Sequence, residues 1–137
     1  METGAWTPSL PAVLVAAISS FVLGGAWYSP ALFGRLWQRL ARLTDDDLRR
    51  SNPALIFGPA FVLAFVAAYV FGMFLGPKPS VPLGLGAGAS AGLCWVGASM
   101  GINDLFERRP LLLWVINAGY HTVAFTLYGA IFALWPW

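Results

Sequence analysis

Four long apolar stretches alternate with short polar ones along the chain. The first runs from about Leu10 to Tyr28 and the second from Pro53 to about Leu75. The third runs from about Leu83 (or Val81) to Asn103, and the fourth from Pro110 to Trp135. Each is close to the roughly 20 residues that a helix needs to cross a bilayer core of about 30 Å. Backbone groups in lipid must be satisfied within their own segment, so helices are the expected form. The pattern predicts one all-α, four-span transmembrane domain over residues 1–137, with spans at 10–28, 53–75, 83–103 and 110–135.

Between spans one and two the period changes. Phe33, Leu36, Trp37, Leu40 and Leu43 recur on one side of a helix, with Arg35, Gln38, Arg39 and Arg42 on another. Ser29-Pro30 resembles a cap followed by a first-turn proline. The spacing predicts an amphipathic helix over 31–43, lying in the membrane surface with its apolar side, including Trp37, down and Arg35, Arg39 and Arg42 among the phosphates. An anionic-lipid site or a substrate gate is the functional alternative for the same residues. Thr44-Asp45-Asp46-Asp47 reads as a capped helix start rather than a metal site. Asp45–Arg49 and Asp46–Arg50 stand at ion-pair spacing.

The third span carries Gly84, Gly88 and Gly92 at four-residue intervals, then Gly97 and Gly101. Small residues so spaced let helices meet backbone to backbone. Trp95, Ser99, Asn103 and Glu107 repeat at the same interval and predict a polar stripe descending to the next loop. In the fourth span, His121 is the only histidine. It lies roughly 16 Å along the helix from Pro110, near mid-bilayer. Asn117, Tyr120 and Tyr128 share its side, whereas Thr122 and Thr126 point elsewhere. The two stripes are expected to face each other as antiparallel neighbours, with Trp27 and Tyr28 closing the mouth of a small polar cavity. The structural alternative is a histidine bonded to Asn117 or a serine, bracing the bundle.

Composition supports the membrane reading. The chain is 58% hydrophobic and 10% charged, against about 25% charged for soluble domains. Its net charge of +2 does not point to nucleic acid. The sole cysteine, Cys94, rules out an intrachain disulfide and a zinc cluster. The start Met1-Glu2-Thr3 lacks the basic region of a signal peptide, so the first span is expected to be retained. Arg35, Arg39, Arg42, Arg49 and Arg50 join spans one and two, and Arg108 and Arg109 join spans three and four; Lys78 stands alone between spans two and three. The positive-inside rule then predicts cytoplasmic arginine-bearing loops and both termini outside.

Several stretches in order resemble one known family. They are Gly25-Ala26-Trp27-Tyr28-Ser29-Pro30-Ala31-Leu32-Phe33-Gly34, Leu43-Thr44-Asp45-Asp46-Asp47-Leu48 with Asn52-Pro53, Ile102-Asn103-Asp104-Leu105-Phe106-Glu107, and Ile116-Asn117-Ala118-Gly119-Tyr120-His121. Together they resemble the bacterial membrane-protein family called domain of unknown function 1761, over nearly the whole chain. The resemblance implies a small polytopic membrane protein with no assigned activity and carries no mechanism; the expected location is the bacterial inner membrane.

Enzyme chemistry is not expected, because no nucleophile–histidine–acid set is visible. No cofactor is predicted, although one histidine is compatible with haem. A proton-coupled exporter would need a mid-membrane carboxylate, and none lies deep enough. The leading expectation is a homo-oligomer that binds or passes a small solute or ion around His121, its partners being lipid and its own copies. The alternative is a non-catalytic accessory or assembly subunit of a larger membrane complex. A membrane enzyme or haem protein is third.

Overall fold

The computed structural model describes residues 6–137; the Met1-Glu2-Thr3 start lies outside the described residues. The elements are α1 (Leu10–Trp27), α2 (Gly34–Leu40), α3 (Asp45–Arg50), α4 (Pro53–Leu75), α5 (Val81–Ser90), a π-helical segment (Ala91–Gly97), α6 (Ala98–Phe106) and α7 (Leu111–Leu134). The protein is an all-α membrane protein. Its α1, α4, α7 and the continuous stretch Val81–Phe106 are each long and apolar enough to cross a bilayer. Side-chain caps start most of them. Ser9 accepts from the Ala12 N–H, Asn52 from Ala54 and Ser80 from Leu83, and a proline follows each cap within the first two positions. These residues answer the unpaired amides of a helix N-terminus.

The fourth span is the hub. α7 packs against α1 on one side and against α5, the π segment and α6 on another. α4 closes onto α1 and the far half of α7. Phe21 meets Phe57 and Phe61 edge-on, and Phe71 meets Phe125. Ala12, Val13, Ala16, Ala68, Phe71, Tyr128 and Phe132 form the core where α1, α4 and α7 converge. Most of α4 faces outward, as its nearly unbroken apolar sequence anticipates.

The α5–α7 seam is built on glycine. Gly84 lies on the Gly129 backbone, Gly88 on Phe125 and Thr126, Gly92 on His121 and Thr122, Gly97 on Ala118, and Gly101 on the Trp114 ring. The pairs run antiparallel. A methyl group at Gly84, Gly88, Gly92 or Gly129 would overlap backbone atoms of the facing helix. The partner of the glycine series is therefore α7 of the same chain.

The π segment explains how five glycines stay on that seam. From Gly92 to Gly97 is five residues, and an α-helix would carry Gly97 about 140° past Gly92. The wider i→i+5 turn absorbs the extra residue. Trp114 Nε1 donates to the Gly97 carbonyl at 2.8 Å, securing the end of this turn to α7.

The segment after α1 departs from expectation. The helix is Gly34–Leu40, shorter than 31–43. Ser29 does not cap it; its hydroxyl donates to the Ala26 carbonyl and closes α1 instead. The Phe33 N–H bonds back to the Trp27 carbonyl and that of Gly34 to Ser29, so residues 28–33 form tight turns. Arg42, at φ 59°, ends the segment at the other side. Part of the apolar side of α2 is turned toward the bundle: Trp37 meets the Tyr28 ring edge-on at 5.4 Å. In α3 the ion pair is Asp46–Arg49 at 2.6 Å, not the i,i+4 pairs. Asp45 accepts from Gln38 and Asp47 from the Thr44 N–H, which leaves only Asp46 to pair.

Candidate functional site

The polar groups of α7 gather where it crosses α1. Trp27 Nε1 donates to the Ile116 carbonyl at 3.0 Å. One residue further on each helix, the Tyr28 hydroxyl donates to Asn117 Oδ1 at 2.7 Å. The Tyr120 hydroxyl donates to the Ser20 carbonyl at 2.8 Å. The Tyr120 ring passes over Gly24, where an added methyl would meet it at ordinary van der Waals distance. Gly119 likewise receives the Trp27 ring. Tyr128 is 3% exposed, with Ser20 beside its hydroxyl.

The aromatic rings form a continuous chain from this seam outward. Trp37 contacts Tyr28, Tyr28 contacts Tyr120 at 5.6 Å, and Tyr120 contacts His121 at 5.0 Å. His121 is half-buried at the end of that chain. Among the described residues, no side chain or backbone group hydrogen-bonds to its ring, so the bracing bond to Asn117 or a serine is not formed. Asn117 is committed to Tyr28 and Tyr120 to Ser20. The Thr122 and Thr126 hydroxyls donate to carbonyls of their own helix at 2.7 Å, the usual solution for a hydroxyl in an apolar helix.

The stripe of the third span does not meet that of the fourth. Trp95, Ser99, Asn103 and Glu107 are all exposed, Trp95 at 65%. The cause is the π segment. In an unbroken α-helix, Ser99 and Asn103 would fall within about 20° of Gly92 and so face α7. The wide turn presents Gly97 and Gly101 there instead. Trp27 and Tyr28 therefore close onto α7 itself rather than over a shared cavity. Glu107 pairs with Arg109 at 2.9 Å in the exposed loop. Trp95 reaches the Phe74 ring across an apolar groove of about 360 Å³ that also involves Phe71, Ala91 and Cys94. His121 does not line it. Arg35, Arg39 and Arg42 are exposed on α2 and its end.

Ser20 is the site residue that sequence reasoning missed. Its signal was a serine pair, Ser19-Ser20, within an apolar span, with Gly24 one turn on. Among the described residues, no three His, Cys, Asp or Glu side chains converge as a metal site would require. Outside the spans, the Thr44 backbone N–H and then its hydroxyl hold the Asp47 carboxyl below the usual carboxylate range. The effect belongs to the reciprocal cap of α3.

Four apolar spans sewn together by a polar α1–α7 seam define a small multi-pass membrane protein. The chain belongs to the family described as "Protein of unknown function (DUF1761)", which matches residues 11–133. No curated protein and no solved structure matches it.

Proposed function

We propose that the protein is a homo-oligomer that binds and passes a small solute or ion beside His121. One observation supports this most: His121 is half-buried in the middle of a span with no hydrogen-bonding partner among the described residues, while the polar groups around it are engaged. Among the described residues no buried side-chain nitrogen or oxygen lacks a partner, so the ring nitrogens are open at the surface of the bundle, and facing lipid without a partner would cost them a few kcal/mol. Ionisable residues inside membrane spans mark pathways and ligand sites more often than they brace a fold. A ring with neither nitrogen bonded to the described residues is available to an ion, a solute or water. The α1–α7 seam is closed by hydrogen bonds and the α5–α7 seam by glycine contacts, so a pathway runs between copies rather than through one. The protein resides in the bacterial inner membrane, with the arginine-bearing loops cytoplasmic and both termini outside.

A second reading, an accessory subunit of a larger membrane complex, has its own support. Ser99 and Asn103 face away from the bundle, and polar groups on an outer face favour cover by another membrane helix. Purification separates the two readings, since a pathway requires a stable homo-oligomer and an accessory role a heteromeric complex. The site itself is tested by His121→Gln, which keeps an amide donor and acceptor. Proton and potassium flux into proteoliposomes is followed from about pH 5.5 to 8, across the ordinary histidine pKa of about 6.5. The variant should fold and lose the pH dependence. A folded variant with an unchanged flux profile refutes the assignment.

A further inference from the structure

We propose that the outward side of α2 is a binding site for the phosphodiester headgroup of an anionic phospholipid. Arg35, Arg39 and Arg42 stand at i, i+4 and i+7, and residues 29–43 contain no acidic side chain. At that spacing Arg35 and Arg39 share one side of the helix, and Arg42 follows where the chain turns at positive φ. The opposite side is fixed to the protein. Gly34 lies directly on the Tyr28 and Ser29 backbone, Trp37 is seated on Tyr28, and Phe33 packs on Trp27. The helix cannot roll to hide its arginines without breaking these contacts.

Among the described residues, none of the three guanidinium groups makes an ion pair or a side-chain hydrogen bond, whereas Arg49 is held by Asp46 and Arg109 by Glu107. The nearby carboxylates are committed elsewhere, Asp45 to Gln38 and Asp47 to the α3 cap. The guanidinium fork matches the paired oxygens of a phosphate.

Position selects a lipid over a soluble anion. α2 follows α1 after a single set of turns, so it sits at the boundary of the membrane-spanning segment. Leu32, 56% exposed, precedes Arg35 by three residues in the turns between α1 and α2 and offers apolar contact to the chains below a headgroup. This assignment does not depend on the role of His121.

The test uses the full-length protein in nanodiscs of mixed phosphatidylglycerol and phosphatidylcholine, with retained lipid counted by native mass spectrometry. Wild type should retain phosphatidylglycerol preferentially. Each arginine near the surface is worth about fivefold, so Arg35→Gln alone should lower the preference about fivefold and the triple variant Arg35→Gln/Arg39→Gln/Arg42→Gln roughly a hundredfold. Arg49→Gln/Arg50→Gln, on α3, should leave it unchanged. The single variant keeps the test open if the triple variant fails to fold. No preference in wild type, or an equal loss in the α3 pair, overturns the site. Displacement of the lipid by inorganic phosphate at matched concentration would identify a free-anion site instead and equally overturns it.

Discussion

Replacing Gly88 by alanine should destabilise the protein, while the same change at Gly86, two residues away, should not. A methyl carbon at Gly88 would lie 2.8 Å from the Phe125 carbonyl carbon and from Thr126 Cα, and nearer still to the Phe125 oxygen. Non-bonded carbons rest at about 3.5–4.0 Å, so α5 must withdraw from α7 by about 1 Å at this level. A gap of that size forfeits roughly a quarter to a half of each dispersion contact on either side. Gly84 and Gly92 make the adjacent contacts and would lose them together. Overpacking of this kind costs about 1–3 kcal/mol, and removing a glycine from a helix returns about 0.5–1, leaving a net loss centred on about 1 kcal/mol and reaching about 2.5. At Gly86 nothing lies within 4 Å of the added carbon. Gly86→Ala should therefore show only the helix gain of about 0.5–1 kcal/mol. Reversible unfolding in mixed micelles, followed by tryptophan fluorescence, measures both. Equal stability of the two variants would refute a seam held by backbone contact.

Tyr28→Phe keeps the ring contacts to Trp37 and Tyr120 but leaves Asn117 Oδ1 without its donor, and should cost about 1–3 kcal/mol in the same unfolding assay; an unchanged midpoint would show the bond to be dispensable. A reporter active only in the cytoplasm, fused after Trp137, should be silent if both termini lie outside; activity there rules that topology out.

The four spans were legible because length and apolarity alone determine what can cross a bilayer, and neither depends on a partner. The side of α7 that carries Asn117, Tyr120, His121 and Tyr128 was legible from helical period. Their partners were not. Asn117 bonds Tyr28 and Tyr120 bonds Ser20, at separations of 89 and 100 residues, which no local pattern reports. The length of α2 escaped for another reason. Its start is set by backbone bonds from Phe33 and Gly34 to Trp27 and Ser29, while amphipathic spacing continues on both sides of them. In the third span two periodic series competed for one face. The glycine series prevailed, because only it permits the backbone approach to α7.

The π segment has a consequence for how chain length is stored. A third span one residue shorter between Gly92 and Gly97 would carry its five small positions in a single uniform series of fours and would require no wide turn. The surplus residue is taken up sideways, as a local swelling of the helix, without bending the span away from α7. Cys94 and Trp95 stand on that swelling, at the lip of the groove beside Phe74. The indole, three residues past Gly92, thus owes its outward display to a counting mismatch on the opposite side of the same helix, whereas Cys94, two residues past Gly92, faces outward in either kind of turn.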